Sequence, residues 1–183
     1  MGISFPKNSK YGRKLSEKDF VIWLCVFSAI FAVMNYRLLL EVFVVDVWRG
    51  IMSLITFLFW VGMMYSAGRA AAFKALIVMA VIWGGSLIYG GLNLAVTDPE
   101  NLNAAVSIGI LVFSPFASAT VIALVPGLLF LGYYPSSMAE YILIGVFCMV
   151  LFAACWLLGM KLSGRTVTRQ KKMSTPHIGD TDQ

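Results

Sequence analysis

The stretch that decides the fold runs from Ala104 to Leu131 and reads AAVSIGILVFSPFASATVIALVPGLLFL. It is 28 residues long and contains no charged residue. A helix that crosses a hydrocarbon core of about 30 Å needs roughly 20 residues, so this stretch is long for one crossing and short for two. It also contains Pro115 and Pro126, which lack an amide donor and favour a kink. The pattern therefore predicts a re-entrant or kinked hydrophobic segment.

The composition of the whole chain is typical of a membrane protein. Of the 183 residues, 60% are hydrophobic and 13% are charged, whereas a soluble domain carries about 25% charged residues. So few charges cannot cover the surface of a water-soluble fold. The same composition argues against a disordered chain and against a secreted disulfide scaffold, and the three cysteines do not change that.

Four further apolar blocks accompany this stretch, at residues 20–34, 51–66, 75–95 and 141–160. The first block reaches the length of a membrane span if its helix continues through residues 35–40. We predict an all-α membrane protein with three parts, which are a basic cytosolic arm at residues 1–19, a transmembrane helical domain at residues 20–160 and a basic, partly disordered cytosolic tail at residues 161–183.

The positions of the basic residues predict the topology. Twelve of the fourteen Lys and Arg residues lie in the N-terminal arm, in the short link around Arg69 and Lys74, or in the C-terminal tail. Cytoplasmic segments accumulate such residues, so both termini should be cytoplasmic, and the number of crossings should be even. We predict four transmembrane helices, with residues 104–131 as the re-entrant or kinked segment. The alternative is five crossings with the tail outside.

Small residues recur along the third block at helical spacing. Faces with small residues four positions apart allow membrane helices to approach closely. The face predicted for helix packing or for a homo-oligomer contact consists of Gly84, Gly85, Ser86, Gly90, Gly91 and Ala95. The pattern leaves open whether it packs within one subunit or between subunits.

The sequence offers few groups for catalysis or transport. His177, the one histidine, lies in the polar tail, and no G-x-S-x-G, Walker or dinucleotide-binding motif occurs. The three cysteines lie inside apolar blocks without a histidine or an acid at the spacing of metal ligands. We therefore predict a protein that is not an enzyme and that holds neither a cofactor nor a metal.

The basic termini are the remaining candidates for function. The predicted docking residues are Lys161, Arg165, Arg169, Lys171 and Lys172 in the tail and Lys10, Arg13 and Lys14 in the arm. These residues either contact anionic lipid or form a docking surface for a cytosolic protein effector, which could itself bind nucleic acid. The preferred hypothesis is a non-enzymatic, oligomeric sensor and anchor platform. The alternatives are a small oligomeric channel or holin-like pore, and a transporter accessory subunit.

The chain resembles the membrane subunit of the bacterial Kiwa anti-phage defence system in its size, its four predicted crossings and its basic cytosolic ends. This resemblance implies a homo-oligomer in the bacterial inner membrane. It also implies that the protein senses phage attack and works with a cytosolic partner that binds DNA.

Overall fold

A computed structural model describes residues 16–36, 47–96 and 103–173 of the protein, with side chains as far as residue 163. Within these ranges the chain forms helices and no strands. The six helices are α1 (Glu17–Asn35), α2 (Val47–Arg69), α3 (Phe73–Leu94), α4 (Ala104–Ala119), α5 (Val121–Phe130) and α6 (Met138–Met173). The predicted all-α class is therefore confirmed for the described part of the chain.

Three of the helices, α2, α3 and α6, are long and apolar enough to cross a membrane. The pair α4 and α5 would raise this number to four if it formed one bent span. Helix α1 is not among them. Its apolar part, residues 20–34, measures about 22 Å at 1.5 Å per residue, and the continuation that would lengthen it lies outside the described residues.

Helix α1 begins at the start that the sequence predicts. The amide of Asp19 donates to Ser16 Oγ at 3.3 Å, and the amide of Ser16 donates to the Asp19 carboxylate at 2.7 Å. This reciprocal capping box satisfies amides that the first turn of a helix leaves without partners. Helix α6 has the same spacing, since the amide of Glu140 donates to Ser137 Oγ at 3.3 Å.

The long helices α1, α2, α3 and α6 lie side by side, and contacts between their termini define one end of the bundle. The amide of Lys74, at the start of α3, donates to the Glu17 carboxylate, at the start of α1, at 2.8 Å. Trp156 Nε1, in the middle of α6, donates to the carbonyl of Ala72, in the link between α2 and α3, at 3.4 Å. We call this end the basic end, after Lys18, Arg69, Lys74 and Lys161, the four basic residues there whose side chains the structure describes.

Helix α4 runs into the bundle from the opposite end, which we call the loop end and which contains the start of α2, the end of α3 and the start of α6. Gly109, early in α4, lies against Leu92, near the end of α3. Phe116, about two turns further on, packs against Gly85 in the middle of α3. Helix α4 is therefore antiparallel to α3 and descends to about half the depth of the bundle.

Helix α5 returns to the loop end. Gly127 lies against Ser53, and Phe130 lies against Gly50, in the first turns of α2. The axes of α4 and α5 are inclined by 51° at the break. Both outer ends of this pair therefore lie at the same end of the bundle, and we call the pair the α4–α5 hairpin.

The break between the two helices lies at Thr120 and at neither of the two prolines. Pro115 lies inside α4, and Pro126 lies inside α5. The ring of Pro115 removes the amide that would bond to the Leu111 carbonyl, and Ser114 Oγ donates to that carbonyl at 2.9 Å instead. Thr120 Oγ1 donates to the carbonyl four residues before it at 2.7 Å. These hydroxyls satisfy carbonyls that would otherwise be costly to leave unpaired at membrane depth.

Three aromatic side chains form the centre of the core. Trp60 on α2, Trp83 on α3 and Phe152 on α6 are fully buried. Their ring centroids lie 5.7 Å apart for Trp60 and Trp83, 5.9 Å for Trp60 and Phe152, and 5.2 Å for Trp83 and Phe152. These separations are within the range in which aromatic pairs attract one another. The cluster joins α2, α3 and α6 across the middle of the bundle.

Helices α2 and α6 approach each other most closely near the basic end. A methyl group added to Gly68 would overlap the carbonyl oxygen of Trp156, and one added to Gly159 would overlap the carbonyl oxygen of Tyr65. Each glycine thus faces the backbone of the other helix. Such reciprocal contacts are possible only where both helices lack a side chain at the crossing point.

Candidate functional site

The charged side chains occupy the two ends of the bundle. The side chains described include five basic and three acidic ones. Four of the basic ones lie at the basic end, together with Glu17 and Asp19, whereas the loop end has Arg49 and Glu140. The membrane-depth part of the described helices contains no Asp, Glu, Lys or Arg. The basic end therefore has a positive excess that the loop end does not have.

The predicted docking residues of the tail continue along the last helix. Lys161 is exposed, and α6 extends without a break to Met173, across the domain boundary that the sequence predicts at residue 161. Ten residues beyond Ser163 add about 15 Å of helix. Arg165, Arg169 and Lys172 follow Lys161 by 4, 8 and 11 positions, which places the four residues on one face of the helix.

Lys171 lies on the same extension of α6, one position from Lys172 and off the face that the other four residues share. Lys10, Arg13 and Lys14 lie outside the described residues.

The predicted small-residue face of α3 divides into two parts. Gly85 packs against Phe116 of α4, Gly90 packs against Ile142 of α6, and Ser86 is buried. A methyl group added to Gly84 or Gly91 would meet no atom within 4 Å. Ala95, directly after α3, is exposed. Part of the face thus packs within the subunit, and part faces outwards.

Three further buried hydroxyl groups donate to backbone carbonyls. Ser53 Oγ on α2 donates to the carbonyl of Ala123 on α5 at 2.6 Å, and it lies 3.1 Å from the Arg49 carbonyl. Ser118 Oγ donates to the Ser114 carbonyl at 3.0 Å, and Thr56 Oγ1 donates to the carbonyl four residues before it at 2.9 Å. These hydrogen bonds stabilise the helices and the contact between α2 and α5.

The described residues contain no group of three or more His, Cys, Asp and Glu side chains that could hold a metal ion. Cys25, Cys148 and Cys155 are free thiols. Cys148 is buried among apolar residues of the core.

The contacts of Gly68 and Gly159 were not predicted from the sequence. Each is an isolated glycine near the end of an apolar block, where a glycine commonly ends a helix. Adjacent glycine pairs, such as those of the third block, are a stronger sequence signal for close packing. A search for single glycines on two blocks at the same depth could have found this pair, but the sequence does not specify the depth.

Together these features define an all-helical protein with three to four candidate membrane spans, as expected for a multi-pass membrane protein. Comparison of the chain with models of known protein families, with curated proteins and with solved structures finds no match.

Proposed function

We propose that this protein is a non-enzymatic platform of the bacterial inner membrane, in which basic residues at one end of the bundle recruit a cytosolic protein effector. The observation that carries this proposal is the extension of α6 by ten helical residues beyond Ser163, which bears basic residues at helical spacing. Lys18, Arg69 and Lys74 lie at the same end and enlarge the positive surface. An acidic surface of the effector would complement this charge.

The topology that we propose has α1, α2, α3 and α6 as crossings and the α4–α5 hairpin as a re-entrant segment, with both termini in the cytoplasm. Two observations support it. The start of α1 and the part of α6 that follows Trp156 lie at the same end of the bundle, and that end carries the positive excess that favours the cytoplasm.

Cysteine labelling tests this topology. In a background in which the three native cysteines are replaced by alanine, K74C and Y134C place one thiol at each end of the bundle. A membrane-impermeant maleimide applied to intact spheroplasts should label Y134C, and it should label K74C only after lysis. Labelling of K74C in intact spheroplasts would contradict the proposed orientation.

A homo-oligomer is part of the proposal. The outward positions Gly84 and Gly91 give α3 a surface without large side chains, which would allow a helix of a second copy to approach closely. The resemblance to the Kiwa membrane subunit extends the proposal further, because it implies phage attack as the trigger and an effector that binds DNA.

The function is tested with the full chain expressed at its native level. The triple variant R165Q/R169Q/K172Q removes three charges and keeps residues that favour a helix. The control T166Q/T168Q changes the same segment without changing its charge. After purification in mild detergent, we expect a cytosolic protein to accompany the unaltered chain and the control, and the triple variant to retain about tenfold less of it.

Equal recovery of the same proteins with all three chains would contradict the recruitment proposal. Recovery of an oligomer without a partner, together with ion flux through liposomes that contain it, would favour the channel or holin-like pore instead.

A further inference from the structure

An apolar groove opens on the surface of the bundle between α2, α5 and α6. Its volume is about 780 Å³, which is within the usual range for a ligand site. The lining side chains include Ile51, Leu54 and Phe57 from α2, Leu128 from α5, and Leu143 and Phe147 from α6. We call it the apolar groove.

The depth of the apolar groove matches one leaflet of a bilayer. Along α2 it extends from Val47 to Phe57, and ten residues of helix rise about 15 Å. Half of a hydrocarbon core of about 30 Å has the same length. The groove therefore begins at the loop end and stops near the middle of the bundle.

Exposed aromatic residues mark where the groove meets the membrane surface. Trp48 lies beside the first lining residue of α2, and Tyr133 and Tyr134 follow the end of α5. Tryptophan and tyrosine favour the boundary between hydrocarbon and headgroups. The mouth of the groove thus lies at headgroup level, and its closed part lies among acyl chains.

The walls of the apolar groove offer no free hydrogen-bonding side chain to a ligand. Among the described residues that line it, only Ser53 and Cys148 have a polar side-chain atom. The Ser53 hydroxyl already donates to the Ala123 carbonyl at 2.6 Å. A polar ligand would lose its hydration without compensation, so the part of the ligand inside the groove must be hydrocarbon.

From the depth of the groove and its apolar lining, we infer that the apolar groove binds one acyl chain of a glycerophospholipid from the leaflet at the loop end. Helix α5 packs against α2 and has little direct contact with α6. The acyl chain fills the space between α5 and α6, and it holds the returning arm of the α4–α5 hairpin in place. This inference does not depend on the proposed function, because the groove lies at the end opposite to the basic end.

A pair of substitutions on α2 tests the inference. Leu54 lines the groove, whereas Leu58 lies one turn further along, has nearly the same exposure and is not part of the lining. L54W fills the groove with an indole ring, and L58W adds the same ring outside it. After purification in mild detergent, phospholipid bound to the full chain is measured by native mass spectrometry. We expect L54W to retain about tenfold less lipid than L58W, which corresponds to about 1.4 kcal/mol of binding free energy.

A photoreactive lipid provides a second measurement that does not rely on a variant. Phosphatidylglycerol with a diazirine in one acyl chain is added to the unaltered protein in nanodiscs, and the labelled residues are mapped. We expect labelling to concentrate on Leu54, Leu143 and Phe147. Labelling spread evenly over other exposed apolar residues, such as Ile30 and Val81, would overturn the inference.

Two other occupants give different results. A disulfide that forms between F43C and L143C, without retained lipid, would show that a segment of the same chain occupies the groove. A dimer that L54W dissociates, again without retained lipid, would show that a second copy occupies it. Each of these outcomes overturns the proposed lipid site and leaves the proposed function to its own test.

Discussion

Gly68 on α2 lies directly against the carbonyl oxygen of Trp156 on α6, and no side chain fits between the two helices at this point. Gly159 on α6 faces the Tyr65 carbonyl in the same way. The two helices therefore meet backbone to backbone beside the basic end. Because the α6 helix continues from this contact into the extension that carries Arg165, the crossing fixes the direction in which the extension leaves the bundle.

The first prediction concerns this crossing. Gly68→Ala should lower the free energy of unfolding by about 2 kcal/mol, because the added methyl group forces two backbones apart. Gly62→Ala on the same helix is the control, since a methyl group there meets nothing within 4 Å. Alanine favours a helix over glycine, so the control should be neutral or slightly stabilising. Unfolding in mixed micelles measures the free energies of unfolding of both variants. Equal stability of the two variants would contradict the close approach of α2 and α6.

The second prediction concerns the hydrogen bond between Ser53 and the Ala123 carbonyl. Ser53→Ala should destabilise the protein by about 0.6–1.5 kcal/mol, which is the range for hydrogen bonds between membrane helices. Thr56→Val removes a hydroxyl that bonds only within its own helix, and its cost should be smaller. If Thr56→Val lowers the free energy of unfolding more than Ser53→Ala does, the hydrogen bond between α2 and α5 does not contribute the expected stability.

The third prediction separates the two parts of the small-residue face on α3. Gly85→Ala should destabilise the fold by about 1–3 kcal/mol, because the added methyl group would lie 2.7 Å from a ring carbon of Phe116. Gly84→Ala should leave the fold intact. If the outward positions hold a second copy, Gly91→Leu should reduce the mass measured by light scattering while the thermal stability of the subunit is unchanged. An unchanged mass would place the oligomer contact elsewhere.

The fourth prediction concerns the contact of Glu17 with the start of α3. Its carboxylate accepts from the Lys74 amide at 2.8 Å and lies 3.8 Å from Lys74 Nζ. The pair is exposed, so Glu17→Ala should cost only about 0.5–1 kcal/mol. Added salt should reduce only the electrostatic part of this loss in the free energy of unfolding. Glu17→Gln keeps an oxygen acceptor and should cost less than Glu17→Ala, and the reverse order would exclude a capping role.

The class of the protein and the irregular segment were predictable from the sequence, because both depend on length and hydropathy. Residues 104–131 were too long for one span, and the α4–α5 break lies within them. The position of the break was not predictable. The prolines suggested a kink at their own positions, but Ser114 compensates for Pro115, and the chain turns at Thr120 instead.

The tertiary partners of single residues could not be predicted, since they depend on the depth at which helices pair. Gly85 and Gly90 belonged to a visible pattern, and their contacts lie within the subunit. Gly68 and Gly159 did not belong to any such pattern of small residues. The apolar groove had no sequence signal either, because it is the space that remains where α5 returns along α2 and makes little contact with α6.

The α4–α5 hairpin occupies only half of the depth of the bundle. Its tip reaches the level of Ile82, midway along α3, where Ala119 and Ile82 line one small cavity. Among the described residues, the cross-section therefore contains six helical segments near the loop end and four near the basic end. The described part of the chain thus has the shape of a wedge, and in the topology that we propose it takes up more area in one leaflet than in the other. Bending or stretching of the bilayer changes the lateral pressure on the two leaflets unequally, so a wedge-shaped protein is mechanically coupled to the curvature of its membrane.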